Sequence, residues 1–232
     1  MLSISNLLFE SIPEHPDTII IQNEFYPNGL TQKHIYDYYI KNKKKILEQV
    51  KDRDVMIVLA TDLNKFVIKR KETNGYIKLN SENYDNFLSG RTVTIYSTMN
   101  QQEDFGIVDI DYHDFNQAKN ATIEIYDLLY KQNKKLKIKY TGKNSFHILY
   151  FFDQKIDINS IRKKLEDLLL NLADKKYSIN STRSEEKINL DLSPNKFRGG
   201  FISLYSLSIL GLKCVEVSRK QIASFNKSDA KI

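Results

Sequence analysis

Two aspartates one residue apart, Asp109 and Asp111, interrupt the apolar run "FGIVDIDYHDF" (105–115). In a strand, side chains alternate faces, so both carboxylates point the same way, roughly 7 Å apart along the chain. Two acids on one apolar face repel each other and lose hydration unless positive charge lies between them. One divalent cation, or two at about 3.5–4 Å, supplies that charge, and oxygen ligands suit magnesium or manganese. A solvated strand end paired with lysines would produce the same pattern. Asp191, in "KINLDLSPNKF", ends another apolar segment and offers the third carboxylate that a two-metal shell needs. It reads equally as a cap for the "SPN" turn.

The segment "YTGKNSFHILYFF" (140–152) carries a second kind of chemistry. Gly142 permits a tight turn, and Thr141, Lys143 and Ser145 bring hydroxyls and an ammonium to it. Such donors converging with backbone amides form a cradle for an anion of the size of a triphosphate. His147 then opens a strand, where a histidine is otherwise often structural.

The elements that must hold these groups follow from periodicity. "YPNGLT" (26–31) reads as a turn, with Thr31 capping a helix over 32–50 whose apolar stripe is Ile35, Tyr38, Tyr39 and Ile46. Strands are expected at 54–60, 65–70, 91–97, 136–140, 147–152, 188–192 and 201–207, besides the acid-bearing one. Further helices are expected over 116–135, over a segment presenting Ile161, Leu165, Leu168, Leu169 and Leu172, and over 218–225. Strands in mixed order with a few long helices give an α+β (mixed α/β) class, neither a bundle nor a sandwich.

At 232 residues, with 41% hydrophobic and 11% aromatic content, the chain is large enough to bury a core. The net charge of +6 leaves room for a polyanionic partner, although a Lys-rich composition alone makes a basic surface. One cysteine, Cys214, excludes an intrachain disulfide and a Cys-based zinc site. With no signal-peptide pattern and no apolar run near ~18 residues, a soluble cytoplasmic protein without a membrane partner is expected.

Taken in order, "VDID", "TGKNSFH" and "LDLSPNKFRGGFISLYSL" resemble the three motifs of the archaeo-eukaryotic primase superfamily. The second is similar to S-G-x-x-G-x-H, with Thr141 for Ser and Ser145 for the second Gly. The third resembles the polymerase domain of bacterial ligase D in the spacing of Asp191, Asn195 and "YSL" (205–207). "LTQKHIYDYY" (30–39) is similar to that domain's N-terminal helix, and "SLYSLSILGLKCVEV" to a segment of archaeal primases. The resemblance spans residues 26–217, leaving 1–25 as an N-terminal extension and 218–232 as a C-terminal helix and tail of a single catalytic domain.

The resemblance implies an α/β unit packed on an RRM-like sheet, with an active site in the cleft. It implies nucleotidyl transfer on a DNA template or primer, joining NTPs or dNTPs. Asp109, Asp111 and Asp191 would hold two Mg2+ or Mn2+ ions, and no zinc is expected. Thr141, Lys143, Ser145 and His147 would hold the β- and γ-phosphates, Arg198 or Lys196 would add charge, and Ser206 would contact phosphate or sugar. Lys69 and Arg70 are candidates for template contact. Replication or repair proteins are the implied partners of this minimal core. A non-catalytic primase-like subunit that binds nucleic acid and a two-metal nuclease are the competing readings.

Overall fold

The computed structural model describes residues 15–72, 75–88, 90–170, 176–179 and 186–232. In chain order its elements begin with β1 (Ile19–Asn23), β2 (Tyr26–Thr31), α1 (Gln32–Val50), β3 (Val55–Asp62), β4 (Lys65–Lys69), β5 (Lys71–Glu72), β6 (Gly75–Tyr76) and β7 (Thr92–Thr98). There follow β8 (Gln102–Asp111), α2 (Phe115–Gln132), β9 (Leu136–Tyr140), β10 (Phe146–Asp157) and α3 (Ile158–Leu169). The chain closes with β11 (Tyr177–Ile179), β12 (Ile188–Asp191), β13 (Gly200–Ile202) and β14 (Val215–Val217). The class is α+β, as expected. Among the described residues no helix is long and apolar enough to cross a membrane.

The chain forms two compact units, each discontinuous in sequence. Unit 1 is Met1–Thr98, Ile202–Cys214 and Lys227–Ile232; unit 2 is Met99–Phe201 and Val215–Asn226.

In unit 1, α1 starts at a capping box. The Thr31 hydroxyl accepts the His34 N–H, and His34 Nδ1 accepts the Thr31 N–H at 3.1 Å. Ile35, Tyr39, Ile46 and Val50 make its buried stripe, and it packs on β2 and β7. β7, β3 and β4 pair antiparallel, with β13 at the far edge of the sheet. The 26–31 segment is a strand rather than a turn, because β1 pairs with it and brings Ile20 and Ile21 into the core. Pro27 and Gly29 are tolerated there through irregular register, with Gly29 at φ +80. Residues 19–23 are therefore structural, inside the stretch expected to be an extension.

Unit 2 is a six-stranded sheet in the order β11-β12-β8-β10-β9-β14, antiparallel except for β11-β12. Gly106, Val108 and Ile110 of β8 face the helices. A Cβ on Gly106 would come within 2.5 Å of Ile161 Cγ2 and 2.7 Å of Leu165 Cδ1, so α3 lies directly against this face. Phe115, at the start of α2, packs on Phe146, the partner of Ile110. Ala121, Ile125, Leu129, Ile161, Leu165 and Leu169 complete the core with Val108, Ile110, Ile148 and Leu190. Leu172 of the expected helical stripe lies outside the described residues.

Two further expected elements differ. The 201–207 strand ends at Ile202, because Tyr205 adopts φ +65 and the chain turns, with Cys214 N–H donating to Ser206 O. Residues 218–225 form turns rather than a helix; three of their four backbone bonds span three residues.

Candidate functional site

The face of the unit 2 sheet opposite the helices carries the acids. Cross-strand partners share a face, and the register lines up one row across five strands. Asp191 (β12) opposes Asp109 (β8), which opposes His147 (β10), which opposes Lys139 (β9), which opposes Glu216 (β14). One step along, Asp111 opposes Asn189 of β12, and Asn189 opposes Ser178 of β11. The structure thus brings Asp109, Asp111, Asp191 and His147 together on adjacent strands.

His147 is buried, and its Nε2 lies 3.6 Å from Asp109 Oδ1, an electrostatic contact too long for a hydrogen bond. Burial pushes the imidazole below its ordinary value of 6.5; Asp109 pulls it back up and Lys139 pushes it further down. Asp191 is half-buried, its two oxygens accepting the Ser193 N–H at 2.7 Å and the Ser193 hydroxyl at 2.8 Å.

The site is positioned by the loop that follows β12. Asn195 is fully buried; its Oδ1 accepts the Ile107 N–H at 2.7 Å and its Nδ2 donates to Ile107 O at 2.6 Å. The loop is tight: a Cβ on Gly199 would sit 2.0 Å from Pro194 O, and Arg198 takes φ +60. Arg198 is exposed, with its guanidinium over the Phe197 ring.

The turn between β9 and β10 is internally braced. The Thr141 hydroxyl donates to Ser145 O at 3.0 Å and is 2.6 Å from the Ser145 hydroxyl, while Gly142 takes φ +87. Tyr140 donates to Lys143 O, and Asn144 Nδ2 donates to His113 O, fastening the turn to the chain just past Asp111. Lys143 itself is exposed.

Ser206 belongs to unit 1 and is fully enclosed, accepting the Ile95 N–H at 2.7 Å and lying 3.1 Å from the Tyr39 hydroxyl. Lys69 and Arg70 likewise lie in unit 1, at the end of β4.

Lys139 was not anticipated. It is 2% exposed, beside His147, with its ammonium 4.9 Å from the centre of the Phe201 ring. In "LKIKY" it has the right parity for the acid face, but that follows only once the β9–β10 register is known.

The donors suit a hard divalent cation: three carboxylates on one face, and an Asp109 Oδ1 that is buried with no hydrogen-bond partner. In the present rotamers no three His, Cys, Asp or Glu side chains among the described residues converge as a finished cage. The residues fit magnesium or manganese by kind and by face.

Residues 36–192 match the model of the TOTE conflict system, Archaeo-Eukaryotic Primase domain. The match takes in all three aspartates and His147, and stops short of Arg198 and Ser206. No curated protein matches the chain. Among solved structures, the fold resembles the polymerase domain of Mycobacterium tuberculosis ligase D, determined in complex with DNA. The TM-score is 0.72 at 14% identity, over 90% of this chain and 87% of the other. With the acid row and the braced turn in the expected motif order, and with the family match spanning most of its length, the chain belongs to the archaeo-eukaryotic primase family.

Proposed function

We propose that this protein is a metal-dependent nucleotidyltransferase that joins NTPs or dNTPs to a 3′-hydroxyl on a DNA template, in replication priming or gap-filling repair in the cytoplasm. The observation that carries the reading is the row Asp191–Asp109–His147 on three adjacent strands, with Asp111 one step along. Asp109, Asp111 and Asp191 would hold two Mg2+ or Mn2+ ions, which when bound would supply the charge that activates the 3′-hydroxyl and neutralises the triphosphate and leaving pyrophosphate.

The chain's own groups then have separate tasks. The β8–β10 and β8–β12 pairings fix the carboxylates on a rigid sheet, so catalysis is by positioning and electrostatics, with no covalent intermediate. Neutral His147 donates from its imidazole to a phosphate oxygen without adding a proton-transfer step. The 141–145 turn, braced from within by the Thr141 hydroxyl, presents backbone amides, the Ser145 hydroxyl and the Lys143 ammonium to the β- and γ-phosphates. Arg198 adds charge from the loop after Asp191. Lys139 offsets the negative charge of the row from its buried side.

Incubating the protein with primed and unprimed template, Mn2+ and labelled nucleotides tests this. Extension that disappears in Asp109→Ala supports the reading. Degradation of the strands means a nuclease instead, and binding with neither product means a non-catalytic nucleic-acid subunit.

A further inference from the structure

Among the described residues, four polar atoms on the acid face of unit 2 are enclosed and have no hydrogen-bond partner: Asp109 Oδ1, His147 Nδ1, Asn189 Oδ1 and Ser178 Oγ. The first two belong to the row already described. The other two lie on the next row, where Ser178, Asn189 and Asp111 sit side by side across β11, β12 and β8. Asn189 is 6% exposed, whereas Asn195, a fully buried carboxamide of the same unit, is bonded through both ends. A fold rarely encloses an amide oxygen without a donor unless something occupies the space in front of it.

We propose that Asn189 is a metal ligand: its amide oxygen coordinates the cation held by Asp111, with the Ser178 hydroxyl beside it to hold a metal-bound water. This rests on the reading of the acid row as a divalent-cation site. Asn189 and Asp111 are direct cross-strand partners, the closest side-chain neighbours a sheet provides. Carboxylate, amide carbonyl, hydroxyl and water oxygens together are the hard donors that magnesium and manganese take. The residue type also follows from charge. Asp109, Asp111 and Asp191 already crowd the β8–β12 part of this face, and a further carboxylate beside them would add repulsion in the metal-free protein, whereas a neutral carbonyl adds a ligand without a charge. The "INLD" spacing puts this donor two residues before Asp191, on the same face of β12.

The test is Mn2+ binding to the full chain, followed by the loss of the free-ion EPR signal, with thermal melts run in parallel. Asn189→Leu keeps the side-chain size and is expected to weaken Mn2+ binding roughly tenfold or more. Asn189→Asp is expected to bind Mn2+ more tightly than the parent, to melt lower without metal, and to regain its melting temperature when Mn2+ is added. The second variant keeps the test open if the first fails to fold. Asn189→Leu binding Mn2+ like the parent, or Asn189→Asp gaining no affinity, overturns the proposal while leaving the acid row intact, provided Asp109→Ala loses binding. A parent chain that takes up no Mn2+ overturns the cation site itself and the proposal with it.

Discussion

Asn195 completes the backbone hydrogen bonding of Ile107, two residues before Asp109, from four residues beyond the end of β12. The β12–β8 ladder stops at the Asp191–Asp109 pair, and the Asn195 carboxamide takes the place of the strand's next step. One buried amide therefore fixes both the "SPN" turn, through a further bond to Leu192 O, and the strand that carries two of the acids. Asp191 cannot shift against Asp109 without breaking it.

Asn195→Leu leaves the Ile107 N–H and C=O enclosed without partners, at about 1–3 kcal/mol each. A stability loss of about 2–6 kcal/mol is expected, read from the urea midpoint at unchanged m-value. Asn195→Asp keeps the acceptor and loses the donor, so its loss is expected to be smaller. Equal stability of all three proteins would remove Asn195 from this role.

Ser206→Ala separates a scaffold role from a substrate role for that residue. It strips the acceptor from the buried Ile95 N–H and the contact to Tyr39, so a loss of about 1–3 kcal/mol is expected. The KM for nucleotide is expected to stay where it is. A raised KM at unchanged stability would return Ser206 to the substrate.

His147 gives a pH signature in metal-free protein. Its folded value lies below 6.5, burial being the main cause. The unfolded chain takes up this proton near pH 6.5 and the folded chain only at lower pH. Stability is therefore full above about 6.5 and falls as the pH drops through the window down to the folded value. Imidazole NMR titration in the presence of chelator checks it. Asp109→Asn should lower the His147 midpoint further, and Lys139→Met should raise it, since the two charges act in opposite directions. A midpoint at or above 6.5 in the parent would mean that the pull of Asp109 outweighs the burial of the ring.

The acid strand, the three helices and the "LKIKY"–"HILYFF" pair were legible because period and residue type agree there. Asp109, Asp111, Asp191 and His147 were legible as a motif order, each being the polar interruption of an apolar strand. Their alignment in one row was not, because register is set by long-range pairing between strands up to 82 residues apart, as Asp191 is from Asp109. Lys139 and Asn189 stayed hidden for the same reason: in a Lys- and Asn-rich chain neither stands out until its strand is placed beside His147 or Asp111. β2 was missed because Pro-Asn-Gly is turn chemistry in isolation, and only pairing with β1 overrides it. The enclosure of Ser206 was not legible either, because spacing reports position along the chain and not which way a hydroxyl turns.

The central claim is that Asp109, Asp111 and Asp191 form one divalent-cation site. A crystal of the protein with Mn2+ and a non-hydrolysable nucleotide triphosphate measures it directly through anomalous scattering. The account expects two manganese peaks about 3.5–4 Å apart among these three carboxylates, with the triphosphate running toward the 141–145 turn and His147. Manganese bound elsewhere, or no peak at this row with nucleotide present, would contradict it.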